Sequence, residues 1–136
     1  MNSPSRHPKS VSVTFRGLNC HPEKIELLLG RPASSTGVKG DPVKPTVATR
    51  LTRSYARYEV DLQPCVQLDE VFDVLMQHVG GVDALIRARD EAQPEFFELD
   101  IVWPIKFSEE QESGYLTQRT LADLVKLECT LGFSFL

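Results

Sequence analysis

The 136-residue chain is short of the residues that usually announce chemistry. It holds three cysteines, three histidines and one tryptophan. Cys20, Cys65 and Cys129 are odd in number and far apart, so they fit neither a disulfide framework nor a zinc spacing. They are expected to be reduced, mostly buried thiols of a cytoplasmic protein. His7, His21 and His78 show no H-x-x-x-H or H-E-x-x-H spacing, so no metal is expected. The G-x-x-x-x-G-K-[ST] phosphate loop is absent, and no nucleophile, base and orienting group can be assembled from the spacing. No run of about 18 apolar residues occurs, which argues against a membrane helix. Positive charge is also in deficit, 15 Lys and Arg against 19 Asp and Glu for a net charge of −4. Phosphate backbones need a clustered basic surface, so nucleic acid is not an expected partner. The expectation is therefore no catalytic residue, no cofactor, no metal, no nucleic acid and no membrane.

What the chain does have is alternation. From Leu51 to Leu62 one face reads Thr52, Ser54, Ala56, Tyr58, Val60, Leu62, and the other Arg53, Tyr55, Arg57, Glu59, Asp61. From Phe97 to Ile105 one face is Phe97, Leu99, Ile101, Trp103, Ile105, and the other carries Glu98 and Asp100. A period of two marks half-buried strands. Val11, Val13 and Phe15 make a first strand ended by Gly17, and Leu131, Phe133 and Phe135 a last one. Phe96, Val102 and Leu136 are placed on the nominally polar face.

Helical spacing fills the intervals. Pro22 suits the first turn of a helix with an Ile25, Leu28, Leu29 stripe, stopped by Gly30 and Pro32. Leu68, Val71, Phe72, Leu75, Met76 and Val79 share one helical face. Gly80-Gly81 interrupts it, and Val82, Leu85 and Ile86 predict a short continuation to about Asp90. Thr117 is a good N-cap for a last helix whose buried side is expected to be Leu121, Ala122, Leu124 and Val125. Residues 31–50 and 107–115 read as loops, the first long enough to be functional. Its stretch near Val47 is an expected extension of the second strand. Pro104 predicts an edge position or a bend for the third.

The order is strand-helix-strand-helix-strand-helix-strand. Two-faced strands argue against a fully covered parallel sheet. The expected class is α+β: a four-stranded or five-stranded mixed or antiparallel sheet, helices on one face, the other face open. The helices should cover Val13, Phe15, Tyr58, Val60, Leu99 and Ile101. Residues 1–10 read as a flexible N-terminal leader and 11–136 as one domain.

The stretch SVSVTFRGLNCHPEKIELLLGRPASSTGVKGDP, the alternating LTRSYARYEVDL, a central helix, a strand, a Ser-Gly loop and LTQRTLADLVKLECTLGFSFL together resemble the bacterial family called domain of unknown function 4279. The resemblance spans roughly residues 11–136, and its most specific pieces are HPEKIELLLGRP, the Lys39-Gly40-Asp41 loop and the C-terminal helix with its short strand. The family often has a tryptophan in its second strand, where this chain has Tyr55 or Tyr58. The resemblance implies a bacterial α+β protein with no established activity.

Two functions follow as expectations. The first is a non-enzymatic protein-binding module, of the type that inhibits or gives immunity to a toxin, using Arg53, Tyr55, Arg57, Glu59, Asp61, Glu98 and Asp100 on the open sheet face. Glu59, Asp61, Glu98 and Asp100 would form a carboxylate cluster if their strands were neighbours, with Arg53 and Arg57 offering cross-strand ion pairs as the simpler arrangement. The same face would also serve a homodimer. Trp103, with Tyr55, would serve either as a core anchor at the sheet edge or at an interface rim. The second function is a small-molecule-binding protein or enzyme. Its pocket would lie between the 31–50 and 106–116 loops, with Lys39, Asp41 and Lys106 as polar groups and Arg31 and Lys44 nearby for an anion. The simpler reading of Lys39-Gly40-Asp41 is a turn that uses Gly40 for an unusual φ. His21 is expected to cap a helix rather than to activate Cys20.

Overall fold

The alternation in the first strand places it at the centre of a sheet. The computed structural model describes residues 9–104 and 114–135. Within them, β1 (Ser10–Arg16) lies between β3 (Tyr55–Asp61) and β4 (Phe96–Val102). β2 (Ser35–Gly37) and β5 (Thr130–Ser134) form the two edges, giving the order β2-β3-β1-β4-β5. Every pairing is antiparallel except β4 with β5, which is parallel. The described helices are α1 (Glu23–Leu29), α2 (Leu68–Val79), α3 (Val82–Ala92) and α4 (Gln118–Leu127). This is the expected α+β class with a mixed five-stranded sheet.

The apolar parity of the strands meets the helical stripes in one core. Val11, Val13, Phe15, Ala56, Tyr58, Phe97, Leu99 and Ile101 are buried with Ile25, Leu29, Val71, Phe72, Leu75, Val79, Leu85 and Leu127. Val60 is half-buried against them. Burying one such large side chain contributes about 1.5–3 kcal/mol.

Local chemistry sets the boundaries. α2 starts with a capping box: Gln67 N–H donates to Glu70 Oε1 at 2.9 Å. Gly80 and Gly81, at φ 97° and 105°, take conformations that a side chain would resist, so the chain turns there before α3. Lys9 ties three segments together. Its ammonium donates to Pro64 C=O at 2.8 Å and lies 4.2 Å from the Trp103 ring centre.

Several sequence expectations are corrected. The third strand is not an edge strand: β4 has β1 on one side and β5 on the other, and Pro104 falls beyond it. The 31–50 segment is not one long loop, and Val47 extends no named strand. Ser35–Gly37 pairs with β3, and Ser34 prolongs that pairing by accepting from Glu59 N–H at 2.8 Å. Residues 38–51 then fold back on themselves, with Pro42 bridged to Arg50 and Val43 N–H donating to Thr49 C=O at 2.8 Å. α4 buries Thr120 and Leu127, with Leu124 half-covered, while Leu121, Ala122 and Val125 are exposed. None of the cysteines is buried: Cys65 is exposed, Cys20 and Cys129 half-buried. His7, Leu136, Ile105, Lys106 and residues 107–113 lie outside the described residues.

Candidate functional site

The sheet face away from the core is a grid fixed by register. Down the central strand run Ser10, Ser12, Thr14 and Arg16. On β3 these stand opposite Asp61, Glu59, Arg57 and Tyr55, and on β4 opposite Val102, Asp100, Glu98 and Phe96. β5 adds Thr130, Gly132 and Ser134, and β2 adds Ser35 and Gly37. Six of the seven sequence-predicted residues therefore share this face: Tyr55, Arg57, Glu59, Asp61, Glu98 and Asp100. Arg53 joins them at its end, just before β3.

Small side chains on β1 between longer ones on β3 and β4 make a shallow trough. Ser12, between Glu59 and Asp100, is 2% exposed. Gly132 fits the same relief, since a Cβ there would lie 2.3 Å from Asp100 Oδ1. Tyr55 lies against Gly37 in the same way, its Cε1 being 2.4 Å from where a Cβ would stand.

The face is polarised. Asp61, Glu59 and Asp100 occupy one end, and Arg16, Arg53 and Phe96 the other. Phe96 is 37% exposed, with the Arg16 and Arg53 guanidinium carbons 4.8 Å and 5.1 Å from its ring centre. Gly17 positions this end. At φ 77° it turns the chain out of β1, and its C=O accepts from Glu95 N–H at 3.2 Å. Glu95 then receives Arg53 Nη2 at 3.0 Å, and that bond holds the Glu95 carboxyl below the usual carboxylate range.

The carboxylate cluster is not formed as expected, because β3 and β4 are not neighbours. Glu59 and Asp100 flank Ser12 on strands separated by two strand spacings, roughly 9.5 Å. Arg57 pairs with Glu59 along its own strand at 2.8 Å rather than across strands. The cross-strand pair is Arg16–Glu98 at 2.9 Å. Alternation could assign Arg16 and Phe96 to this face; the register is what sets them opposite each other, and Arg53, just before β3, brings its guanidinium carbon to 5.1 Å from the same ring. Trp103 does not join Tyr55. It lies beyond Val102, while Tyr55 stands opposite Arg16 at the other end of the sheet.

The loop residues do not converge in the described part of the chain. Lys39 and Asp41 are exposed on the folded-back 38–51 segment, where Gly40 has φ 94° and Asp41 N–H donates to Val38 C=O at 3.0 Å. Arg31 lies instead at the end of α1, its guanidinium donating to His78 C=O and its own C=O accepting from Tyr58 Oη at 2.9 Å. His21 is not the N-cap of α1, which is Pro22; it lies one residue earlier, where its Nδ1 accepts from Glu23 N–H at 3.2 Å, while Cys20 packs against the core. Among the described residues no three His, Cys, Asp or Glu side chains are placed to hold a metal ion. An apolar cleft of about 10 Å³ lies between α2, α4, β4 and β5, lined by Phe72, Ile101, Thr120 and Leu124 among others. That is room for about one water molecule at most. No described helix is long and apolar enough to cross a membrane.

No family model matches the chain, and neither a curated protein nor a solved structure matches it.

Proposed function

We propose that the protein is a non-enzymatic protein-binding module that works through the sheet face bearing Arg53, Tyr55, Arg57, Glu59, Asp61, Glu98 and Asp100. The observation that carries this reading is the polarity of the grid. Asp61, Glu59 and Asp100 lie toward one end, and at the other stands the half-exposed Phe96 ring with two guanidinium carbons 4.8 Å and 5.1 Å from its centre, each arginine paired with a glutamate. Aromatic side chains, phenylalanine among them, and arginine are enriched at protein interfaces. A face with both charge signs in fixed places selects a partner of the complementary pattern and speeds encounter at low salt. The resemblance to a bacterial family of α+β proteins, and the acidic balance of the chain, fit an inhibitor or immunity partner of a toxin.

The test is capture from native cell extract by three proteins: wild type, Phe96→Ala, and an Arg57→Glu, Asp100→Arg double variant. Circular dichroism first establishes that the variants are folded. The expected result is a protein retained by wild type and lost from both variants, with an association rate that falls as salt rises. Equal capture by all three would remove the face from the function.

A further inference from the structure

Among the described residues β5 ends one side of the sheet, with an edge its own residues do not protect. Thr130, Leu131, Gly132, Phe133 and Ser134 include no charge and no proline, the usual means of discouraging edge pairing. Trp103 N–H donates to Ser134 C=O at 2.8 Å, so the backbone groups of Ser134 face β4. By alternation those of Gly132 and Thr130 do too, and those of Leu131 and Phe133 face away from the sheet. On the same edge Phe133 and Phe135 are 39% and 59% exposed, their rings stacked with centroids 5.6 Å apart.

α4 lies over β4 and β5, with Thr120 and Leu124 lining the apolar cleft against Leu99, Ile101 and Leu131. Around that helix, Asp123 on one flank is half-covered, whereas Leu121 and Val125 on the other are 48% and 77% exposed. The bare apolar flank is therefore the one turned from α2 and α3, toward the free edge of β5.

We infer that the protein pairs with a second copy of itself, β5 against β5, antiparallel about a two-fold axis through Gly132. That register sets Leu131 opposite Phe133 of the second copy, and each such pair exchanges two backbone hydrogen bonds, the outward groups being the ones used. Thr130 falls opposite Ser134 and Gly132 opposite Gly132. Apolar meets apolar, polar meets polar, and no charge opposes its like despite a chain charge of −4. The axis stands perpendicular to the sheet, so both helix layers stay on one side and α4 meets its symmetry mate across the seam. Leu121, Ala122 and Val125 enter the space between them. A foreign extended peptide would satisfy the edge and leave that flank bare. One two-fold operation covers both, which selects a second copy as the occupant. The product is a continuous ten-stranded sheet, with two copies of the polarised face side by side.

Sedimentation velocity over a wide concentration range tests this, with Val125→Glu and Phe133→Lys as variants at exposed positions and circular dichroism to confirm their fold. Wild type should reach twice the 15.3 kDa chain mass. Each variant should weaken association by about tenfold or more, the effect of removing one well-packed contact. A Thr130→Cys, Ser134→Cys double variant should form a disulfide-linked dimer on oxidation beyond the wild-type background. Neither single variant should, because like positions would lie roughly 13 Å apart, beyond the ~7 Å a disulfide spans between Cα atoms. A wild type that stays monomeric overturns the inference. So does a dimer that survives both substitutions, or one abolished instead by the Arg57→Glu, Asp100→Arg pair.

Discussion

Tyr58 shows how one side chain joins layers that the sequence keeps apart. Alternation assigns it to the covered face of β3, and it is fully buried there. Its hydroxyl donates to Arg31 C=O, 27 residues away, at 2.9 Å. That partner was not legible, because a residue in a loop after a short helix carries no periodic signal about where its carbonyl will point. Lys9 over Trp103 is a contact of the same kind, visible only once β1 is known to lie beside β4. Burial pushes the Tyr58 phenol up to about 12, with the Glu26 carboxylate adding to the rise and Arg31 opposing it. The unfolded chain ionises this phenol near pH 10. Its contribution to stability is therefore complete below that pH and is lost as pH rises through about 12. Tyr58→Phe should cost about 1 kcal/mol at neutral pH, the net worth of one hydrogen bond. It should also reduce the loss of stability between pH 10 and 12. Urea titrations across that range measure both. An alkaline decline of unchanged slope in the variant would assign it to other groups.

At the scale of elements, legibility followed length and regularity. α2 declared itself by a six-residue stripe and by the glycine pair that ends it, and β1, β3 and β4 by clean alternation. β2 did not: Ser35-Thr36-Gly37 is three residues long and has no apolar member. It exists because β3 offers an edge and Ser34 adds a side-chain bond to the pairing. α4 was placed correctly and faced wrongly. It has two stripes, and the buried one includes Thr120. The Thr117 hydroxyl oxygen accepts from Thr120 N–H at 3.1 Å and lies 3.0 Å from Thr120 Oγ1, so the polar side chain is satisfied within the cap. A hydrophobic pattern gives no credit for that arrangement and favours Leu121 and Val125. The two facings make opposite demands. Leu127, with no exposed surface, should cost about 2–5 kcal/mol when cut to alanine. Val125→Ala, at 77% exposed, should stay within about 0.5 kcal/mol in the monomer. Denaturant midpoints of the two variants decide it, and the reverse order would turn the helix over.

For the whole molecule, the decisive fact is that the first strand is the middle one. Parity placed all seven predicted residues on one side of the sheet, and six lie there within β3 and β4 with Arg53 just before β3, but no local pattern says that β1 enters between β3 and β4. That insertion separates Glu59 from Asp100, leaves their carboxylates unpaired with each other, and turns an expected cluster into a polarised grid. It also has a direct signature in the backbone. A strand with neighbours on both sides has every N–H engaged, while an edge strand has only alternate ones engaged. Amide hydrogen exchange on the Val125→Glu protein, at a concentration where sedimentation finds it monomeric, should therefore show protection at successive residues from Val11 to Phe15. In β5, Gly132 and Ser134 should be protected by β4, while Leu131 and Phe133 exchange quickly. β1 should be the slowest segment, because freeing its amides requires parting two ladders and the core residues Val11, Val13 and Phe15, each at most 1% exposed. Alternating protection in β1 would place it at an edge and dissolve the grid. Continuous protection in β1 with alternation in β5 fixes the sheet order on which both the binding face and the self-pairing edge depend.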